Sequence, residues 1–296
     1  MTRREFLKSG GAALAAALAA PAARAHEAKN GVRLGLTTYQ IGSRWTIPEL
    51  IEVLPRFGLF GVEIRTDMKY AHGLELTSSK AARAEAAKRF ADSPVQLVGV
   101  ACGERYDSPD AAKLARAVER TRELLQFCAD LGAPGLRVFP NDFHKEVPQE
   151  KTLEQIAASL KHLAPIAASL GVELRLEAHG SAGLLPHLAT LCKAVDHPGL
   201  RVILNSDFRD TQGEGLAANL EKVGPYLAGT VHLHDLTAKN YTEAKFYETQ
   251  CAFLKRIGWN GFCLLEIGDK PDNEARFKEI ARQKQRWDEL MKGIEG

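Results

Sequence analysis

A short apolar strand followed by an amphipathic helix recurs eight times between residue 32 and the end of the chain. The first pair covers residues 32–38 and 47–57, and the last covers residues 262–267 and 273–294. Strict alternation of strands and helices predicts a parallel sheet covered by helices. Eight such units in roughly 250 residues match the size of a closed (β/α)8 barrel, the TIM barrel. No linker interrupts the pattern, so we expect one α/β domain over residues 26–296.

An open, doubly wound α/β sheet is the alternative with the same alternation. Its nucleotide-binding members carry a glycine-rich turn directly after the first strand. Here the first strand leads instead into Leu-Thr-Thr-Tyr-Gln at residues 36–40. The sequence therefore favours the closed barrel.

Residues 1–25 have a composition of their own. Arg3 and Arg4 precede a run rich in alanine and leucine, and Ala-Arg-Ala at residues 23–25 matches a signal peptidase site. This pattern predicts a twin-arginine export signal, cleaved before His26, and a periplasmic or otherwise exported protein. A transmembrane anchor is the alternative. The apolar run over residues 10–20 is short for a membrane span and mostly alanine, so we expect no stable membrane anchor.

The net charge bears on which molecules the protein binds, and the cysteines bear on whether it contains disulfide bonds. Residues 1–25 hold four basic residues and one acidic residue, so their removal changes the formal net charge from +2 to −1. A nearly neutral chain gives no reason to expect nucleic acid as a partner, because phosphate binding depends on clustered Lys and Arg. The five cysteines form no Cys-x-x-Cys pair and are odd in number, which indicates mostly core thiols rather than a disulfide framework.

Side chains that can bind metals end the last four predicted strands. Because side chains alternate along a strand, His232 and His234 share one face of strand seven. In a barrel the carboxyl ends of consecutive strands meet at one face, where the active sites of such barrels lie. Carboxylates mixed with imidazoles suit Mn²⁺, Mg²⁺, Co²⁺ or Zn²⁺. The remaining candidate ligands at these strand ends are Glu177 on strand five, Asn205 or Asp207 on strand six, and Glu266 on strand eight.

Two further observations concern the alternatives at this face. Histidines packed in a core would explain His232 alone, but polar groups in register on four neighbouring strands favour a divalent metal site. Glu63 and Arg65 end strand two and are candidates for binding the hydroxyl groups of a substrate. Ion pairs inside or at the rim of the barrel remain an equal explanation for these two residues.

Four stretches of the chain carry a resemblance to known proteins: Gly-Val-Glu-Ile-Arg (61–65), Glu-x-His-Gly (177–180), Val-His-Leu-His-Asp (231–235) and the segment 257–266. They resemble the sugar phosphate isomerase/epimerase superfamily, whose members have a xylose isomerase-like barrel. The resemblance covers nearly all of the chain after the export signal. It implies a divalent metal held by Glu177, the strand-six residue, His232 and Glu266, with the two glutamates doubling as acid and base.

The sequence departs from the family pattern on strand six. The family commonly has Leu-Asp-x-x-His there, and this chain has Leu-Asn-Ser-Asp-Phe at residues 204–208. Asn205 therefore takes the place of the aspartate and Phe208 that of the histidine. By alternation either Asn205 or Asp207 could reach the metal. His179 or His234 could compensate, and both are also candidates for binding substrate.

These features predict an enzyme, a metal-dependent isomerase or epimerase of a sugar or keto-sugar. A proton next to a carbonyl would be removed and returned through an enediolate. If a leaving group departs instead, the same site would serve a dehydratase or a lyase that eliminates from 3-keto-glycosides. Because Asn205 replaces an acid, a non-catalytic carbohydrate-binding barrel is a third interpretation. An endonuclease-like member is disfavoured by the charge and by too few histidines for a multi-zinc cluster. The sequence leaves the oligomeric state open.

Overall fold

The computed structural model describes residues 31–295, and the predicted export signal at residues 1–25 lies outside the described residues. All eight predicted strands are present in this part of the chain, and their ladders are parallel. The strands are β1 (Val32–Thr37), β2 (Gly61–Arg65), β3 (Gln96–Arg105), β4 (Gly135–Phe139), β5 (Glu173–Glu177), β6 (Leu200–Ile203), β7 (Thr230–Leu233) and β8 (Gly261–Leu265).

The predicted helices follow the strands in the expected order, and one of them is divided. The helix predicted over residues 242–257 is two helices, because Lys245 has φ +51°, in the left-handed region that interrupts helical geometry. The helices are α1 (Ile47–Arg56), α2 (Lys80–Ala91), α3 (Ala111–Leu131), α4 (Gln149–Ser169), α5 (Leu185–Val195), α6 (Leu216–Val223), α7 (Lys239–Glu243), α8 (Phe246–Arg256) and α9 (Asn273–Glu295).

The sheet curves into a nearly closed barrel. The strand order is β6-β5-β4-β3-β2-β1-β8-β7, so β1 pairs with both β2 and β8. Between β6 and β7 the barrel closes through two backbone hydrogen bonds: His232 N donates to Leu204 O, and Ala228 N donates to Val202 O, both at 2.8 Å. This arrangement confirms the predicted TIM barrel and excludes the open doubly wound sheet.

The helix α1 illustrates how the local sequence forms the outer layer. Thr46 accepts a hydrogen bond from Glu49 N while the Glu49 side chain accepts from Thr46 N, which is a capping box that satisfies two otherwise unpaired donors. Ile47, Leu50 and Leu54 lie on one face and are buried against the barrel. The cap therefore fixes where the helix begins, and the apolar stripe fixes which face packs inward.

The interior of the barrel contains charged side chains. Arg175 is buried, forms an ion pair with Glu173 at 2.8 Å, and donates to Val98 O at 2.7 Å. The absence of a side chain at Gly135 makes room for this guanidinium, because a Cβ there would lie 2.1 Å from Arg175 Nε. The ion pair with the partly exposed Glu173, together with the hydrogen bond to Val98 O, compensates the buried charge of this arginine.

The prediction that the cysteines are core thiols can be compared with the described residues, whereas the apolar run at residues 10–20 lies outside them. The cysteines, Cys102, Cys128, Cys192, Cys251 and Cys263, are buried free thiols, as expected of core residues. Across residues 31–295, the search for a helix with the length and apolar character of a membrane span returns none.

Candidate metal centre

Three of the predicted metal ligands meet at the carboxyl end of the barrel. Glu177 is the last residue of β5, His232 lies in β7, and Glu266 directly follows β8. One ligand atom from each lies within 4.8 Å of the other two. The strand ladders produce this convergence, because β5 pairs with β6, and β7 pairs with β8 in register with His232 opposite Leu264. Two carboxylates and one imidazole thus face a common point.

The imidazole of His232 is fully buried among three carboxylates. Its Nδ1 lies 3.0 Å from Glu177 Oε1 and 3.5 Å from Glu266 Oε2. Its Nε2 lies 3.1 Å from Glu63 Oε1, which also contacts the Tyr39 hydroxyl at 3.4 Å. If Nε2–H donates to Glu63, the Nδ1 lone pair faces the two glutamates, which is how ligating histidines are commonly oriented. Without a cation at Nδ1, burial lowers the pKa of His232, but Glu63 and Glu177 outweigh it and raise the pKa to about 10.

The two candidate acid–base glutamates have different environments. Burial raises the pKa of Glu177, but the Arg137 guanidinium and His232 outweigh it and hold the pKa well below its ordinary range. Arg137 is buried, with Nε 2.9 Å from Glu177 Oε2 and Nη1 donating to Cys102 O at 2.8 Å. Burial, reinforced by the negative charge of Glu177, raises the pKa of Glu266 above its ordinary value. One carboxyl is therefore held ionised, and the other is able to carry a proton near neutrality.

Several buried oxygens at this site accept no hydrogen bond, and they indicate whether the site could bind a cation. Glu177 Oε2, Glu266 Oε2 and Asn205 Oδ1 are buried and accept no hydrogen bond, although Glu177 Oε2 keeps its ionic contact with Arg137. A buried acceptor without a partner is destabilising by about 1–3 kcal/mol. A divalent cation would satisfy these oxygens, and a set of two carboxylates, one imidazole and one amide oxygen suits such an ion. The residues present therefore fit the predicted metal.

The two candidates on strand six have different surroundings. The strand ends at Ile203, and Ser206 has φ +46°, so regular alternation does not continue to Asp207. Asp207 caps a short 3-10 turn, Phe208–Thr211, and both of its carboxylate oxygens accept from Arg209. Asn205 is only 8 % exposed, and its unpaired oxygen is free to bind a ligand. Strand alternation therefore does not relate Asn205 to Asp207, because the chain turns at Ser206, although both residues line the cavity described next.

A cavity of about 470 Å³ opens beside the three converging residues. His234 joins it to the metal centre, with Nε2 3.9 Å from Glu266 Oε2. His179 lies on its opposite side, where Nδ1 is 3.2 Å from Asn141 Oδ1 and the ring packs on Phe139. The lining residues are Asp142, Ala178, His179, Gly180, Asn205, Ser206, Asp207, Phe208, Arg209, His234 and Tyr241. Both histidines predicted to bind substrate thus face one polar cavity.

The strand-two candidates lie elsewhere. Glu63 is fully buried, and its carboxylate contacts the imidazole of His232. In this position it can orient the His232 ring, and it is not exposed to the hydroxyl groups of a substrate. Arg65 lies at the end of β2, partly buried, with its guanidinium 5.7 Å above the Tyr39 ring and its Nε without a hydrogen-bond partner. Neither residue is among those lining the cavity.

One cavity residue was absent from the sequence prediction. Tyr241 lies in α7, and its hydroxyl donates to Ser206 O at 2.7 Å. Inspection of strand ends does not find it, because it belongs to a helix that follows β7 after a short loop. An aromatic residue soon after a ligand-bearing strand is a weak signal by itself, and only the fold brings it to the cavity wall.

Comparisons with known proteins agree with this architecture. A family described as the xylose isomerase-like TIM barrel matches residues 51–289. A search of curated proteins returns no match. The solved structures described next share only 13–18 % of their sequence with this chain, so their similarity shows the fold alone.

Three solved structures illustrate the similarity. D-psicose 3-epimerase in the presence of D-fructose is 18 % identical with TM-score 0.70, covering 87 % of this chain and 98 % of its own. The 3-keto-D-glucoside 4-epimerase of E. coli is 13 % identical with TM-score 0.64, covering 86 % of this chain and 100 % of its own. The IOLI protein with a zinc atom is 15 % identical with TM-score 0.67, covering 88 % of this chain and 97 % of its own.

Proposed function

The chain belongs to the family of xylose isomerase-like TIM barrels, and on that premise we propose that it is a metal-dependent isomerase or epimerase of a sugar or keto-sugar. The observation that carries the proposal is the convergence of Glu177, His232 and Glu266 beside a polar cavity. The names of the similar structures, which include two sugar epimerases and a zinc-bound protein, support the same reaction class.

Four residues would hold the cation in this proposal: Glu177, His232 and Glu266, with the amide oxygen of Asn205. A bound divalent ion would polarise the substrate carbonyl and stabilise the negative charge that develops on its oxygen. The chain itself contributes orientation, because Glu63 holds the His232 ring and Arg137 holds Glu177. Both supports are buried, which limits their movement during a reaction.

The proton transfer would be shared by the two glutamates. A carboxylate that removes a proton must be ionised, and one that returns a proton must be able to carry it. Before a cation binds, Arg137 keeps Glu177 ionised, while burial and the charge of Glu177 raise the pKa of Glu266 above its ordinary value. Two carboxyl groups whose environments move their pKa values apart are the arrangement expected of an acid–base pair. Return of a proton to the same carbon from the opposite face gives an epimer, and return to the neighbouring carbon gives an isomer.

Exchange of the substrate proton with solvent tests this function. The protein without residues 1–25 would be incubated with Mn²⁺ and a panel of ketoses and 3-keto sugars in D₂O. Deuterium uptake at a carbon next to the carbonyl, lost on treatment with a chelator and restored by Mn²⁺, is the expected result. Absence of exchange across the panel in metal-loaded protein would contradict the proposal.

Elimination is the second candidate reaction, because the cavity is large enough for a sugar that carries a leaving group. A cavity of about 470 Å³ falls in the range that holds drug-sized ligands, so a substituent can extend beyond one sugar ring. An eliminating lyase would begin with the same proton abstraction and then release that substituent. Mass spectrometry separates the two, because an isomer keeps the mass of the substrate and an elimination product does not.

Export through the twin-arginine route is a separate proposal, supported by the sequence of residues 1–25. Expression of the full chain in a host with this export machinery is expected to yield a product that begins at His26. N-terminal sequencing of the exported fraction checks this. An intact N-terminus on protein that remains in the cytoplasm would be the opposite result.

A further inference from the structure

Phe208 is an exposed aromatic side chain at a cavity whose other walls are mainly polar. It is 39 % exposed and begins the 3-10 turn that follows β6. The other large apolar side chains exposed among the described residues, Phe60, Met68 and Ile257, do not line this cavity. A single exposed apolar side chain needs no explanation by itself. Its position among Asp142, His179 and His234 does suggest a ligand with both polar groups and an apolar face.

A row of rings leads outward from the metal centre to Phe208. His234 Nε2 lies 3.9 Å from Glu266 Oε2. The His234 ring is 6.5 Å from the Tyr241 ring, and the Tyr241 ring is 6.0 Å from that of Phe208. Phe208 is thus two ring-to-ring steps beyond the residue that contacts Glu266. A sugar ring placed at Glu177 and Glu266 would lie beside His234, and Phe208, 39 % exposed at the same cavity, is accessible to a group attached to that ring.

The surroundings of Phe208 hold the side chain in place. Its ring meets the edge of Tyr241 at an interplanar angle of 70°, and the Tyr241 hydroxyl donates to Ser206 O two residues before Phe208. On the other side, Asp207 is bound by Arg209, which also donates to Gly180 O at 3.0 Å. These contacts fix the turn on both sides of the ring, so a ligand that stacks there loses little to reordering of the protein.

We propose that Phe208 is a stacking platform for a second ring and that the substrate is a glycoside rather than a free monosaccharide. This inference rests on the proposed function for the position of the reacting sugar. The C–H faces of a pyranose and the face of an aryl group both pack on an aromatic ring, and the polar walls accept hydroxyl groups. The attached ring would be either a second sugar or an aryl group. Phe208 occupies the place of a histidine in the family pattern, so the platform is a feature of this chain.

Binding of one-ring and two-ring probes tests the platform with a readout that does not depend on turnover. Methyl β-D-glucoside, phenyl β-D-glucoside and cellobiose would be titrated into the Mn²⁺-loaded protein by calorimetry, with saturation-transfer NMR to map ring contacts. The wild type is expected to bind one or both of the two-ring probes about 2- to 10-fold more tightly than the methyl glucoside. Preference for the phenyl probe indicates an aryl group, and preference for cellobiose indicates a second sugar.

Variants separate stacking from general damage to the fold. Phe208→Ala is expected to abolish the preference while leaving the affinity for methyl β-D-glucoside unchanged, and Phe208→Trp to keep it. Phe143→Ala is the matched control, because Phe143 packs on His187 and does not line the cavity. No preference in the wild type, no binding of any probe at millimolar concentration, or a preference retained in Phe208→Ala would overturn the inference. Failure of the proposed function would appear separately, as absence of deuterium exchange with the probe preference intact.

Discussion

The ends of β5, β7 and β8 differ from the end of β6, although all four carry candidate metal ligands. Glu177, His232 and Glu266 lie where the strands remain hydrogen bonded to their neighbours, and their side chains converge. The strand β6 stops at Ile203, and the chain turns at Ser206. Strand pairing therefore places Glu177, His232 and Glu266, whereas no such pairing places the residues that follow the turn at Ser206. Beyond that point local contacts decide the direction of each side chain.

The largest effect on activity is expected for substitutions of Glu177 and Glu266, which converge with His232. Glu177→Gln and Glu266→Gln each replace a proposed acid–base carboxylate by a group that cannot exchange a proton, so we expect activity to fall by roughly 10²- to 10⁴-fold. Deuterium exchange into substrate measures the loss. Glu154→Gln, on the exposed side of α4, is the control and should behave as the wild type. Full activity in either of the first two variants would remove the proposed mechanism.

The support beneath His232 should show the next largest effect. Glu63→Leu removes the acceptor at Nε2, and we expect the Mn²⁺ affinity to fall by roughly 10- to 100-fold, the usual effect of losing an outer-shell partner. Glu63→Gln retains an acceptor oxygen and should recover part of the affinity. Calorimetry measures the affinity, and ¹⁵N NMR of the Zn²⁺-loaded protein reports which nitrogen of His232 carries the proton. An unchanged affinity and tautomer in Glu63→Leu would assign Glu63 a packing role only.

Substitutions at Asn205 and Asp207 test directly which of these two residues after β6 binds the cation. Asn205→Asp adds a negative charge near the cation, and we expect metal affinity to rise by roughly 10-fold. Asp207→Asn should leave the affinity nearly unchanged, because Asp207 is bound to Arg209. Titration of both variants with Mn²⁺ checks the pair. The reverse pattern, with affinity sensitive only to Asp207, would identify Asp207 as the ligand.

The smallest effect concerns stability on the strand-six side. Burial raises the pKa of Asp210 to about 7, above its unfolded value near 3.8, although its carboxylate accepts from Leu185 N at 3.0 Å. The folded state therefore favours the protonated acid. The stability that this provides is complete below about pH 4 and is lost as the pH rises through 7.

Removing this ionisation should change the pH profile of unfolding. Asp210→Asn keeps an acceptor for Leu185 N and cannot ionise, so we expect it to be more stable than the wild type by roughly 1–2 kcal/mol at pH 8. Denaturant unfolding at pH 5 and pH 8 measures the difference. A difference between the two proteins that does not grow from pH 5 to pH 8 would contradict the raised pKa.

Much of the fold could be predicted from the sequence because its signals are local. Apolar runs, capping residues such as Thr46, and glycines after helices mark each strand and helix within a few neighbouring residues. Eight units of this kind leave few architectures, and the barrel with its family is confirmed. The boundary that was missed, the break at Lys245, depends on a single left-handed residue within a helical pattern.

The metal centre could be predicted in part for a related reason. Glu177, His232 and Glu266 were found because a parallel barrel brings the carboxyl ends of its strands together, whatever the side chains are. The contact between Glu63 and His232 joins residues 169 apart in the chain, and no local pattern encodes it. The choice between Asn205 and Asp207 depends on the backbone angle of Ser206 and on a guanidinium that binds one of them.

The sequence by itself therefore determined the order of strands and helices and which strand ends carry ligand-type side chains, because periodicity and side-chain chemistry are properties of neighbouring residues. Only the tertiary structure decided which oxygens remain unpaired, which carboxyl group Arg137 holds ionised, and where Phe208 faces. These are set by distances and burial between residues far apart in the chain, and such distances exist only once the barrel has closed.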